Sequence, residues 1–390
     1  MYLSHFVLKN WKNFRDVDVD LAPRVFLIGP NASGKSNFLD ALRFLRDVAT
    51  SGLDVAVNQK RGGVSSLRCL AARLHSDLEL TATISGDDGD PIWTYELTFN
   101  QDSAKRAVVK RERAKHIPSG DLRLDRPDAA DERDALRRTQ TALEQINTNR
   151  PFREIAEFFR SVDYQHIVPQ AVRDPMDFSG RQVHNDPFGR DFVLRVWNTP
   201  KATRSAWLRR ILKVLKVAVP QLSHLDVTFE DPGSGPHIVV RYEHWRLHPA
   251  KQTEAQLSDG TLRLMGLLWA MFEGEGPLLL EEPELSLHAE LVRHLPELLT
   301  SVQREIRAMR RKKGAGRRQV ILSTQSREIL NNQSISAEEV LRLEPSEEGT
   351  RVLPATDDEK NAMGFGLTAA DVLLPKAAPA GTDQLLLPLS

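Results

Sequence analysis

The sequence predicts an α/β fold, a mixed sheet with flanking helices, with a large α+β lobe set into it. Three observations predict it. Gly29-Pro30-Asn31-Ala32-Ser33-Gly34-Lys35-Ser36 fits the pattern G-x-x-x-x-G-K-[ST]. It stands between an apolar run, Val25 to Ile28, and the helical spacing of Asn37 to Leu45. A second apolar run, Pro277-Leu278-Leu279-Leu280, ends in consecutive carboxylates, Glu281 and Glu282.

Strand, glycine-bearing loop and helix is the order that phosphate chemistry needs, because backbone N–H groups of the loop and helix N-terminus point at the anion. Gly29 and Gly34 supply backbone angles closed to other residues. Pro30, Asn31, Ala32 and Ser33 carry the loop between them. Lys35 is placed to reach the outer phosphates, Ser36 to meet Mg2+ through its hydroxyl, and Asn37 to open the helix.

At 390 residues the chain exceeds one ordinary domain, or is one domain with a large insertion. Its 53 basic and 53 acidic residues cancel. No global positive field advertises nucleic acid, and any such site is a local patch. The single cysteine, Cys69, excludes an internal disulfide framework and suits a reducing compartment. The first residues lack the pattern of a secretory signal, and no run approaches the roughly 20 apolar residues of a membrane span. The expectation is a soluble cytoplasmic protein with no membrane contact.

Along the chain, residues 1–28 read as three strands. Trp11, Lys12 and Phe14, between the first two, fit either a cover for a nucleotide base or an ordinary turn. In the loop after the P-loop helix, Gln59 fits a reach toward Mg2+ or the attacking water, and equally an exposed polar residue. Residues 78–113 alternate as antiparallel strands, residues 117–150 read as a charged surface stretch, and 152–159 and 206–219 have helical spacing. Residues 225–229 and 237–242 return to strands. The expected domains are a head from 1–50 and 250–350, an inserted β-meander and helical lobe over 51–249, and a C-terminal tail over 351–390. The tail is expected to be partly disordered or to dock on a partner through Leu385 to Leu389.

The second half of the site comes late. Ser258-Asp259-Gly260-Thr261 precedes a strongly helical run. A small hydroxyl residue and a glycine at a helix start make either an anion site or an ordinary N-cap. Side chains alternate along a strand, so Glu281 and Glu282 cannot do the same job. After a P-loop the pair fits a catalytic role, Glu281 holding Mg2+ directly or through its water and Glu282 polarising the water that attacks the γ-phosphate; taken alone it equally fits a solvated strand end. Leu285-Ser286-Leu287-His288 then opens a helix, and a last strand runs from Gln319 to polar residues at Gln325 and Ser326.

In this order the motifs resemble the ABC-type ATPases of the SMC/RecF group, and most nearly the stand-alone ATPases similar to the OLD (overcoming lysogenization defect) family. The resemblance covers residues 1–50 and 250–335. It implies an ABC-type head that binds ATP and Mg2+ on the P-loop face and dimerises around ATP. Ser258 and Gly260 of one copy then close over the γ-phosphate held by the other, with Leu287 and His288 at the dimer seam. Relatives usually carry histidine where this chain has Gln325. Glutamine cannot carry a proton at neutral pH, so slow hydrolysis is expected, with ATP binding as the main switch. Glu281 stands where aspartate is commoner, and its longer side chain still suits a metal.

OLD-like proteins often carry a C-terminal Toprim-type nuclease domain, for which about sixty residues after Ser326 leave no room. The expectation is therefore a regulatory ATPase working with a separate effector, nuclease or toxin-like, in phage defence or DNA repair. The alternatives are a RecF-like ATP-gated DNA clamp and a non-catalytic ATP-binding scaffold. Two basic clusters bear on the choice: Arg304, Arg307, Arg310, Arg311, Lys312, Lys313, Arg317 and Arg318, and Lys105, Arg106, Lys110, Arg111, Arg113 and Lys115. Each fits nucleic-acid phosphates or a solvated face.

Overall fold

The structure is a computed structural model, and it describes residues 1–72, 76–174, 186–229, 235–243, 250–310 and 318–377. Its strands are β1 (Tyr2–Trp11), β2 (Phe14–Asp20), β3 (Arg24–Ile28), β4 (Leu78–Ser85), β5 (Pro91–Gln101), β6 (Ala107–His116), β7 (Leu122–Arg126), β8 (Asp163–Gln165), β9 (Leu222–Phe229), β10 (Pro236–Tyr242), β11 (Ala250–Thr253), β12 (Leu278–Glu281), β13 (Val320–Thr324), β14 (Val340–Glu344) and β15 (Arg351–Pro354). The chain forms two compact units. One comprises Met1–Asp163, Glu275–Leu279 and Arg307–Ser390; the other comprises Tyr164–Gly274 and Leu280–Ile306.

The first unit holds a six-stranded sheet of order β2-β1-β4-β5-β6-β7, antiparallel throughout. β4 and β5 alternate buried and half-buried residues, the pattern of a sheet with one packed face. A second sheet has the order β15-β14-β3-β13-β12-β8. In β3 every residue is buried, and β13 and β14 flank it in parallel. Continuous apolar sequence such as Val25 to Ile28 belongs where both faces are covered.

The P-loop helix, Lys35–Ser51, packs on the first sheet through aromatic rings. Phe38 meets Phe6 and Phe14 edge-on at 5.8 and 6.2 Å, while Phe44 stacks on Phe99 at 5.2 Å and tilts against Trp11 at 5.1 Å. Trp11 and Phe14 are fully buried here, so neither covers a base. They fix the helix instead.

Several boundaries differ from the sequence expectation. The meander β4–β7 is no separate insertion; it extends the sheet begun by β1 and β2, because β4 pairs with β1 from Ser85 to Glu79. The charged stretch after it is partly interior. Arg126 is buried and binds Glu112 and Asp131, both buried, at 3.0 and 2.8 Å. Glu112 also accepts the N–H groups of Ala142 and Leu143 and the hydroxyl of Tyr95. Hydrogen bonds from Arg126 hold the Asp131 carboxyl far below the usual carboxylate range.

The expected tail is ordered into the first unit as far as residue 377: β15 pairs with β14, and the helix Asp357–Gly364 follows. Its Glu359 is buried between Arg342, at 2.9 Å, and Lys376, at 2.6 Å. Burial opposes ionisation of Glu359, but the bonds from Lys376, the Thr356 N–H and Arg342 outweigh it and hold the pKa at about 2. Leu385 to Leu389 lie outside the described residues.

In the second unit β11-β10-β9 form a small sheet. The helix Asp259–Glu273 is buried almost all round, from Thr261 to Phe272. Trp207, on the helix Lys201–Ala218, covers Trp269 and Phe272 at 5.1 and 5.9 Å. Among the described residues no helix is long and apolar enough to cross a membrane.

Two predictions follow from the buried ions. Arg126→Met strands two buried carboxylates, and in urea unfolding it should cost about 3–5 kcal/mol. The Glu359 carboxyl titrates lower folded than unfolded, so its contribution is whole above about 4.5, its usual value, and is lost as pH falls toward about 2. Glu359→Gln should flatten that part of a stability-against-pH curve.

Candidate functional site

The P-loop leaves β3 and enters its helix through Gly34, whose φ of 100° is left-handed. A Cβ at Gly34 would collide with the Asn13 amide. Asn13 is the loop's clamp. Its Nδ2 donates to the Ser33 carbonyl at 2.9 Å and to Thr350 Oγ1 at 2.7 Å. Its Oδ1 accepts from Asn37 Nδ2 at 2.8 Å, and its carbonyl accepts from the Thr350 N–H at 2.7 Å. Trp11 adds a bond from Nε1 to the Asn37 carbonyl at 3.1 Å.

The loop fits an anion. Lys35 turns back over it and donates to the Gly29 and Pro30 carbonyls at 2.8 and 3.0 Å. The Ser33 hydroxyl is buried inside the loop with no hydrogen-bond partner among the described residues. No acidic residue occupies the helix's first turn, and its N-cap has no side chain. Uncapped N–H groups, a lysine and an unsatisfied hydroxyl are a phosphate donor set. Asn31, Ala32 and Ser36 are exposed around it. Beside the loop opens a cavity of about 900 Å³, lined in part by Lys12, Asn13, Arg15, Leu70 and Thr350. Lys12 is held there by Asp40 at 2.7 Å.

Gln325 is exposed and directly follows Thr324, which pairs with Ile28 across β13 and β3. It therefore emerges beside the start of the P-loop. Gln59 is exposed and ends a π-helical turn, Val55–Gln59. The two residues after it bind the P-loop helix: Lys60 reaches Asp47 at 2.8 Å, and Arg61 reaches Asp40 and Asp47 at 2.8 and 3.0 Å.

In the second unit Ser258 is the exposed N-cap of the helix Asp259–Glu273, and its Oγ meets Thr261 Oγ1 at 2.8 Å and the Thr261 N–H at 3.3 Å. A Cβ at Gly260 would lie 2.6 Å from the Ser286 carbonyl, so the loop of Ser286 and Leu287 closes on this tip only because residue 260 is glycine. Asp259 is held by Arg173 and by Gln170 Nε2 at 3.3 Å. Arg263 is buried on the same helix; burial lowers its pKa, against the fields of Asp259, Glu284 and Glu282. Glu281 and Glu282 are half-buried. Glu281 accepts from the Tyr164 hydroxyl, and its carbonyl lies 3.1 Å from His166 Nδ1. Glu282 has φ 43°, a left-handed angle that is unusual outside glycine and turns it out of the strand direction. His288 is exposed and Leu287 half-buried.

Among the described residues no cluster of three or more His, Cys, Asp or Glu is arranged to hold a metal.

The basic clusters dissolve in part. Arg318 is fully buried and bonds the Gly276 carbonyl at 2.8 Å and Asp163 at 3.3 Å. Arg304 and Arg307 are exposed, while Arg311, Lys312, Lys313 and Arg317 lie outside the described residues, as does the Arg310 side chain. In the other cluster Arg106, Arg111 and Arg113 pair with Asp102, Glu96 and Asp125. Lys105, Lys110 and Lys115 remain exposed.

A family model described as "AAA domain, putative AbiEii toxin, Type IV TA system" matches residues 24–331. Proteins named DNA replication and repair protein RecF are similar over short stretches. That of Lactobacillus gasseri is 50% identical over 46 residues, 12% of either chain. That of Leptospira interrogans is 27% identical over 107 residues, 27% of this chain and 29% of its own. The match thus spans under a third of these relatives' length. Among solved structures, an SMC head bound to the C-winged helix domain of ScpA gives a TM-score of 0.56 at 12% identity, covering 92% of this chain and 99% of that one. An Smc head with an extended coiled coil, bound to the C-terminal domain of ScpA and derived from Pyrococcus furiosus, gives 0.51 at 12% identity, over 93% and 98%. The fold is that of an ABC-type ATPase head.

Asn13→Ala removes three side-chain bonds that meet at the P-loop. It should cost about 1–3 kcal/mol of stability, and hydrogen exchange at residues 29–37 should accelerate more than exchange in β4 or β5.

Proposed function

We propose a function that starts from one fact: the chain belongs to the AbiEii-type AAA-domain family and is an ABC-type ATPase of the SMC/RecF group. In our reading it binds ATP, dimerises around it, hydrolyses it slowly and thereby regulates a separate effector. Residues Gly29 to Asn37 would hold the phosphates, with Lys35 and the Ser33 hydroxyl as side-chain donors. Lys12 and the cavity beside Asn13 suit the base and ribose. Ser36 and Glu281 would hold Mg2+, which would neutralise phosphate charge. Glu282 would accept a proton from the attacking water.

The observation that carries the dimer is the tip of the helix Asp259–Glu273. Ser258 is exposed at the N-terminus of a 15-residue helix, while Asp259 is tied to Arg173 and Gly260 lies against Ser286. A preorganised, outward-facing helix N-terminus suits the γ-phosphate held by a second copy. Gln325 supports slow turnover, because an amide beside the loop cannot shuttle a proton. The effector would be a separate nuclease or toxin-like chain, and phage defence or DNA repair the setting. The exposed Arg304, Arg307, Lys110 and Lys115 favour a second reading, an ATP-gated clamp on DNA. ATP-dependent binding to duplex DNA that weakens with salt would select it.

The test is mass in solution. Glu282→Gln with Mg2+ and ATP should shift from one assembly to its double by light scattering, and Lys35→Ala should not. An assembly whose mass ignores ATP overturns the dimer. Gln325→His should raise kcat by at least about tenfold if proton transfer limits hydrolysis, as read by steady-state phosphate release.

A further inference from the structure

The ten residues from Tyr164 to Arg173 touch both chemical features of the second unit. At one end, the Tyr164 hydroxyl donates to the Glu281 carboxylate, and His166 Nδ1 lies 3.1 Å from the Glu281 carbonyl. At the other end, the short helix Pro169–Arg173 sends Arg173 to the Asp259 carboxylate and to the Leu257 carbonyl, at 2.7 Å, on either side of Ser258. Gln170 Nε2 reaches the same Asp259 at 3.3 Å.

The segment between these ends is packed as a solid piece. Ile167, Ala171 and Val172 are buried. Ile167 lies on the helix Asp259–Glu273 at Gly266, where even a Cβ would approach its Cγ1 to 3.0 Å. The backbone N–H groups of His166 and Val168 donate to the Pro187 and Phe188 carbonyls at 2.8 and 3.0 Å. A strap so anchored cannot shift at one end while staying still at the other, because close-packed interiors transmit displacement.

We propose that Tyr164 and Arg173 are positioning residues at the two ends of this strap, and that it sets the Glu281 carboxylate and the Ser258 tip together. The inference rests on the reading that Glu281 holds Mg2+, and it adds a consequence. A metal ion drawing on Glu281 acts through Tyr164, the strap and Arg173 on the helix tip that serves the other copy. By reciprocity, loosening Asp259 weakens the metal.

The experiment follows binding of a fluorescent ATP analogue to the full-length chain as Mg2+ is titrated, with thermal melts of every variant alongside. Tyr164→Phe should raise the half-saturating Mg2+ about tenfold, as loss of an outer hydrogen bond to a metal ligand does. Arg173→Met, which touches no metal ligand, should raise it about fivefold, and Arg173→Lys should restore most of the difference. A purely structural role would lower the binding-competent fraction and the melting temperature but leave the Mg2+ midpoint where it was. An unchanged or tightened midpoint in Arg173→Met, with ATP still bound, overturns the coupling and leaves the Mg2+ assignment intact. A wild-type chain whose ATP binding ignores Mg2+ overturns that assignment first, and the strap's role with it.

Discussion

Asn13 holds the phosphate loop in place through three hydrogen bonds of its side-chain amide, both N–H donors among them. Its nitrogen serves the Ser33 carbonyl and Thr350, and its oxygen receives Asn37. The loop sits at the end of β3, whose residues are all buried, and at the start of a helix locked by aromatic rings to the neighbouring sheet. Without a side chain bridging these layers, a loop rich in left-handed angles would be free to rearrange. Part of the cost of ordering that loop is thus met before any ligand arrives.

Motifs with their own local physics were legible in the sequence. The P-loop, the apolar runs of β3, β12 and β13, and the N-cap at Ser258 each announce themselves through a few adjacent residues. The alternation of β4 and β5 was equally plain, but alternation does not name a partner strand. That is why the meander looked like an insertion although it extends the N-terminal sheet. Charge runs misled for a related reason. Arg126 and Arg318 read as surface residues until folding brought Arg126 onto its near neighbour Asp131 and onto Glu112 of β6, and Arg318 onto the distant Asp163. Gln59 was picked out by residue type and loop position, and the ion pairs that tie its turn to the P-loop helix, Lys60 to Asp47 and Arg61 to Asp40, carry no local signal.

Tyr164, His166 and Arg173 were not legible at all. β8 is three residues long, too short to show a period. Their partners stand about ninety to a hundred and twenty positions away. What marks them is that one well-packed segment places its polar ends on the Glu281 carboxylate and on Asp259 beside Ser258. Residues that work on other residues carry no motif, because their chemistry is only hydrogen bonding and their meaning comes from what they hold.

The clasp of Glu359 between Arg342 and Lys376 has a practical consequence for anyone dissecting the chain. Arg342 lies on β14, the strand directly alongside β3, and is itself buried. Cutting the polypeptide anywhere between residues 355 and 358 would take Glu359 from that guanidinium and leave it the half-buried Glu344, at 2.6 Å, in a site built for two carboxylates. A shortened version meant to isolate the ATPase would then fail for a reason unrelated to catalysis.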